Sequence, residues 1–336
     1  MPAEDKPFTH TRTYHAATAI DPEPHVLNVT VHAPTRPLDY STPRRLGLSV
    51  GCGTLLQLRD SATQKWLGRT LGAHSVGHVL IELKSTDPQT GQLRYLLTAV
   101  NAADPGEWAD QIAKRQVGYT IFTRGIGGAI DPPDRVATDT DEPAEVGIAS
   151  ARLRVLLSPE AADRMFRFHA EFVARGTYRR LALASDPLAG DGASCASLAV
   201  ALLEVGGVMT SEWRAEWQRT LRVPRALVGD PEGGRRVPPW RLVVGPAVRR
   251  WAEPGEPHQV ITYFDTTLMH AWIARRAGRG AVECQLSRLL AMPVFTVDGR
   301  VTTGPHPPPP LRAMERGCSR RIPFALDRRS HHTSAG

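Results

Sequence analysis

A chain of 336 residues with 41% apolar and 22% charged side chains can bury one large core or two modest ones, which excludes a disordered polymer. The formal net charge of +7 favours an acidic partner: an anionic envelope, nucleic acid or an acidic protein. The paired arginines are dispersed from Arg44-Arg45 to Arg328-Arg329, however, and no motif that reads RNA or DNA accompanies them, so no specific nucleic-acid binding is expected.

The four cysteines, Cys52, Cys195, Cys284 and Cys318, show neither CxxC pairing nor metal-ligand spacing. One bridge among Cys52, Cys284 and Cys318 stays open in an oxidising compartment. No run approaches the length of a membrane span. Met1 to Asp21 is polar without a signal-peptide core. The expectation is a cytoplasmic protein at synthesis, with signal-independent export to the periplasm or beyond left open.

In chain order, residues 1–45 read as a polar arm and a Pro-rich connector around one alternating strand, His25 to His32. A compact region is expected over residues 46–207. It opens with a short strand at Gly53 to Arg59, then a helix or excursion at 61–71. His78 to Lys84, rich in aliphatic and β-branched residues, is a strand. The turn-forming run Ser85 to Gly91 sends it back as a hairpin through Gln92 to Val100.

Pro105 to Arg115 reads as helix, Val117 to Arg124 as strand, Gly125 to Glu145 as loop and Ser150 to Leu157 as strand. Ser158-Pro159-Glu160 is a helix start, a serine cap followed by proline at the first helical position, and that helix runs to about Ala174. A short strand at Tyr178 to Ala184 precedes an apolar helix opened by Cys195 and closed by Gly206-Gly207. Residues 208–327 form a Pro- and Arg-rich accessory region with a helix at Thr266 to Ala277. Residues 328–336 are a tail expected to be disordered.

The chemistry concentrates at Cys195. A cysteine in the first turn of a helix meets backbone N–H groups and the positive end of the dipole, which favour a thiolate. Against this stands the reading of a small buried filler. His78 opens a strand and is a candidate base. Asn101 falls near it across the hairpin, where an amide oxygen can fix an imidazole tautomer, although a one-residue slip reverses faces. His74, His78 and Glu82 would share one face of a helix and hold a metal, but the segment reads as strand, where residues four apart lie about 13 Å apart. No metal and no cofactor are expected.

The pattern Gly53-x-Leu55-x-x-Leu58-Arg59, then Gly77-His78-Val79-x-Ile81, then the helix-opening Cys195 resembles the circularly permuted papain-like group. That group includes permuted NlpC-type hydrolases and lecithin:retinol acyltransferase-like enzymes. The resemblance covers roughly residues 46 to 207 and departs from the group's pattern at Thr54, Leu80 and Ser194. It implies an α+β fold with an antiparallel sheet packed on a cysteine-bearing helix. It implies Cys195 as nucleophile and His78 as base; the hairpin, whose residues facing His78 fall near Thr98 to Asn101, supplies Asn101 or a neighbour as the orienting group. The implied reaction cleaves an amide or ester through a thioester, on a peptide, peptidoglycan or acyl-lipid substrate. A bacterial, envelope-directed effector fits the charge. The alternative is a non-catalytic module of the same fold that binds an acidic partner.

Overall fold

The computed structural model describes residues 23–34, 37–58, 77–87, 90–104, 106–134, 136, 149–278 and 292–300. It is a mixed α+β protein built around a five-stranded sheet. The strands are β1 (His25–His32), β2 (His78–Thr86), β3 (Leu93–Thr98), β6 (Ser150–Leu156) and β10 (Val294–Asp298), in the order β10-β6-β1-β2-β3. All pairings are antiparallel except β10 with β6. The central strand β1 therefore comes from the expected arm, and the edge strand β10 from the expected accessory region. Neither 45/46 nor 207/208 separates one structural layer from another.

The pleat sorts the side chains. Leu27, Val29 and Val31 of β1, Val79, Ile81 and Leu83 of β2, and Ala151, Leu153 and Val155 of β6 share one face. Helices α4 (Pro159–Ala174), α5 (Cys195–Gly206) and α7 (Thr266–Ala277) cover that face. The Trp213 and Trp217 rings of α6 (Ser211–Trp217) meet the Trp272 ring of α7 beside it. α5 is apolar on all sides because it is enclosed on all sides, touching β2, α4, β4 (Val100–Ala102) and β9 (His258–Phe264). Arg164 of α4 reaches its far end, donating to the carbonyls of Val205 (2.9 Å) and Gly206 (3.0 Å), where a cation complements the helix dipole.

The serine cap expected at Ser158 holds for α4, and the structure adds caps at Ser194 for α5 and Asp265 for α7. Other local readings are corrected. Residues 53–58 are not a strand but the last part of helix α1 (Pro43–Leu58). Earlier in the same helix, Gly47 is required because a Cβ there would lie 2.5 Å from the Leu242 carbonyl. Residues 117–124 form isolated bridges, a turn and the short helix α3 (Ile121–Arg124), with Gln116 and Gly118 at positive φ. The expected loop after Gly125 contains β5 (Ile126–Ile130), which pairs with β4 (Val100–Ala102) and β7 (Arg180–Leu181). Gly128 belongs in that strand because the Tyr178 carbonyl occupies the place of its missing Cβ. Of the Tyr178–Ala184 strand only β7 forms.

The helix or excursion at 61–71, the tail, His74, Cys284 and Cys318 lie outside the described residues. Among the described residues no helix is long and apolar enough to cross a membrane.

A second hydrophobic cluster lies around the ribbon β8 (Gln218–Pro224) and β9 (His258–Phe264), with α1, α2 (Gly106–Ala113) and α3. One polar junction ties it to the first. Asp265 caps α7, accepting from Thr267 N–H at 2.7 Å, and also pairs with Arg219. The Arg219 guanidinium lies 3.9 Å from the Tyr40 ring centroid, and Tyr40 accepts from the Tyr263 hydroxyl at 2.7 Å. Asp265 is buried, so truncating it strands Arg219 and uncaps α7. We expect Asp265→Ala to lower unfolding free energy by about 3 kcal/mol, read from urea denaturation; a loss under about 0.5 kcal/mol, the size of a surface substitution, contradicts this account.

Candidate functional site

The chain reaches Cys195 through a tightly specified turn. Asp186 N–H donates to the Asp191 carboxylate at 2.6 Å, and Leu188 N–H to the Asp186 carboxylate at 3.0 Å. Gly192 sits at φ 129°, where a Cβ would lie 2.6 Å from the Arg180 carbonyl. Ala193 N–H then donates to that same carbonyl at 2.9 Å, anchoring the turn to β7.

Ser194 and Ser197 form a capping box: Ser197 N–H donates to Ser194 Oγ at 3.1 Å, and Ser194 N–H to Ser197 Oγ at 2.8 Å. The box occupies the Ser194 and Ser197 amides. The amides of Cys195 and Ala196 are left directed at the sulfur, where they favour its anionic form.

A third N–H comes from the sheet. β3 pairs with β2 only as far as Ile81–Thr98, so the first residues of β2 have no β3 partner. The N-terminal turn of α5 takes that place, and the Val79 amide is directed at the Cys195 sulfur. The thiol is thus set against the amide of the residue that follows His78.

His78 is buried and stands opposite His32, whose Nδ1 is 2.7 Å from Ser150 Oγ. Alternation along β2 sends its ring to the face of Leu80, which packs with Ala99 and Val136, and away from the face of Val79 that the helices cover. Cys195 thus meets the backbone beside His78, while the His78 ring lies on the face of the sheet opposite the covering helices. Gly77, at φ 73°, is required here because Thr266 and the His32 carbonyl approach it closely.

Continuing the β2–β3 register by three residues would set Asn101 opposite His78. The ladder instead ends at Thr98, and residues 100–102 turn to pair with β5. Asn101 donates its amide to the Asp131 carboxylate. β4 touches α5, so Asn101 remains on the cysteine side of the molecule. Asp131 is a residue the sequence reading missed. It follows β5, is buried, and its negative charge disfavours a thiolate at Cys195. Glu82, the third member of the rejected metal trio, accepts from Asn28 Nδ2 and the Tyr95 hydroxyl, each at 2.9 Å.

Cys195 is partly exposed as a residue, but its surroundings are dense. Burial first, and Asp131 in addition, push the thiol up to about 11 against the three N–H groups. The resting group is a neutral thiol, contrary to the depressed value that a helix start alone suggests. A second missed residue is His169, on the inner stripe of α4 with Met165, Phe168 and Phe172. Its Nε2 lies 3.4 Å from Thr98 Oγ1, and burial lowers it to about 4.

Compared with known proteins, the chain matches no family model, no curated protein and no solved structure.

Two outcomes follow from these charges. Alkylation of Cys195 by iodoacetamide, followed by peptide mass spectrometry, should be slow at neutral pH and rise toward pH 11, and Asp131→Asn should move the profile to lower pH; an unchanged profile in that variant removes Asp131 from the site. His169 binds a proton more readily unfolded than folded, so its contribution is complete above the unfolded value near 6.5 and is lost as pH falls toward 4. Denaturant titrations at pH 7 and pH 5 should show lower stability at pH 5, with a smaller difference in His169→Gln.

Proposed function

We propose that this chain is a cysteine-dependent hydrolase or acyltransferase with a permuted papain-like arrangement, Cys195 being its nucleophile and His78 its base. The carrying observation is the placement of the Cys195 sulfur before three backbone N–H groups, one of them the Val79 amide adjoining His78. The order of strand histidine and helix cysteine along the chain supports the same reading. Asn101 is proposed to act through Asp131, holding that carboxylate, and not by contact with the His78 ring.

In the reaction, Sγ attacks the carbonyl carbon and an S–C bond forms. The thiol proton passes to the His78 imidazole, a transfer that requires the ring to leave the face of Leu80, and from there to the leaving nitrogen or oxygen as the C–N or C–O bond breaks. Water or an acceptor then adds to the thioester, the S–C bond breaks, and the thiol regains its proton. The neutral resting thiol requires deprotonation and attack to occur together. Peptide, peptidoglycan and acyl-lipid carbonyls all meet this chemistry.

A non-catalytic module that binds an acidic partner is favoured by two specific features: the high thiol value and the burial of the His78 ring on the face of the sheet away from the helices. Acyl trapping separates the two readings. The protein is mixed with p-nitrophenyl acyl esters and with activated peptide amides, and Cys195 is read for a hydroxylamine-labile adduct. The enzyme reading expects an adduct on Cys195, none in Cys195→Ala, and about 100-fold slower formation in His78→Ala. A wild-type protein that forms no adduct, or forms it equally in His78→Ala, leaves the binding module.

A further inference from the structure

A surface remote in sequence from Cys195 combines exposed apolar side chains with uncompensated positive charge. Between the start of α1 and the turn Pro246–Val248 lies a cleft of about 470 Å³ lined by Thr42, Arg44, Arg45, Leu48, Val248 and Arg249. The adjoining turn packs on α1 through the close approach of Gly47 to Leu242. It carries Trp240, 57% exposed, and Val244, 62% exposed; Leu48 on α1 is 45% exposed. The Val244 amide donates to the Trp240 carbonyl at 2.9 Å, so the two residues belong to one turn.

The charges beside them are of two kinds. Arg45 pairs with Asp39 at 3.2 Å, and Arg250 with Glu256 at 2.5 Å. Arg44, Arg241 and Arg249 are exposed and make no ion pair among the described residues. Arg241 lies over the Trp240 ring, 5.4 Å from its centroid, keeping a cation at the edge of an apolar projection.

We propose that this surface docks on an anionic lipid bilayer. An indole and two aliphatic side chains gain from the boundary between headgroups and acyl chains, while guanidinium groups remain with the phosphates. A nucleic-acid backbone satisfies the arginines but offers nothing to Leu48 and Val244. Three projecting apolar residues are few for the core of a specific protein interface, whereas a bilayer demands no matching shape. The net charge of +7 adds long-range attraction of the same sign. The proposal is independent of the catalytic reading and of Cys195.

The test is co-sedimentation of the full chain with vesicles of phosphatidylcholine alone and of phosphatidylcholine mixed with phosphatidylglycerol, at low and high salt. Binding is expected to the mixed vesicles only and to weaken with salt. Arg44→Gln and Arg249→Gln should each weaken it about fivefold, and Trp240→Ala should weaken it without changing the melting temperature. Arg250→Gln, which removes an already paired charge, should change it least. Equal binding to both vesicles, no binding, or indifference to these variants overturns the proposal. So does retention on heparin or RNA without vesicle binding, which would assign the surface to a soluble polyanion. A dimer in solution that Trp240→Ala dissociates would assign it to a second copy of this chain.

Discussion

The first turn of α5 must seat against the edge of β2 that β3 leaves open, and the rest of the molecule serves that contact. The ladder between β2 and β3 stops at Ile81–Thr98 because the chain bends away at Ala99 to start β4. The gap this leaves exposes the Val79 amide, which a buried edge cannot leave without a partner. The first turn of α5 fills the gap and brings the Cys195 sulfur within the influence of that amide. Arg164 holds the other end of the helix, and the Ser194–Ser197 box fixes where it begins. A shift of one residue in that start would replace Cys195 at the edge by Ser194 or Ala196.

The accessory residues secure the same corner from outside. α7 lies on the helix-covered face of the sheet, and its first residue, Thr266, presses on Gly77 directly before His78. The cap of α7, Asp265, is bound to Arg219 of the β8–β9 ribbon, so the second cluster is tied to the start of β2 through one buried carboxylate. The two clusters are consequently coupled at the point where the candidate chemistry sits. This explains why residues beyond 207, read from composition as a wrapping, are built into the central sheet through β10.

What the sequence disclosed was whatever local chemistry settles. Ser158-Pro159 and the pair Gly206-Gly207 announce helix ends because caps act within one turn. The aliphatic run from Val79 to Leu83 announces a buried strand. What it concealed depends on distant partners. The glycine-rich run at 125–128 read as a turn and Gly47 carried no signal, yet Gly128 and Gly47 each serve a regular element because the backbone at Tyr178 or Leu242 presses close. The break at Ala99 is invisible because apolar residues continue through it. Asp131 gains its meaning only when β5 carries it toward Cys195. The hairpin was legible, but its register only to within one or two residues; that it ends three residues short of His78 was not legible at all.

The electrostatics of the sulfur bear on how such a site can act. Three N–H groups converge on it, the arrangement an anion needs, while burial and the Asp131 carboxylate oppose an anion strongly enough to win in the resting state. A donor set spent on stabilising a resting thiolate lowers the nucleophile's reactivity as well as its pKa. Donors held in place but unspent lower only the energy of states that carry more charge, which is the condition for accelerating a reaction and not merely binding its reactants. Their orientation is fixed beforehand by the capping box and the sheet edge, so no reorganisation is charged to the step in which the negative charge develops. In the proposed mechanism the buried thiol and the convergent amides are therefore complementary: burial keeps the proton in place until a carbonyl arrives to accept the sulfur's electrons.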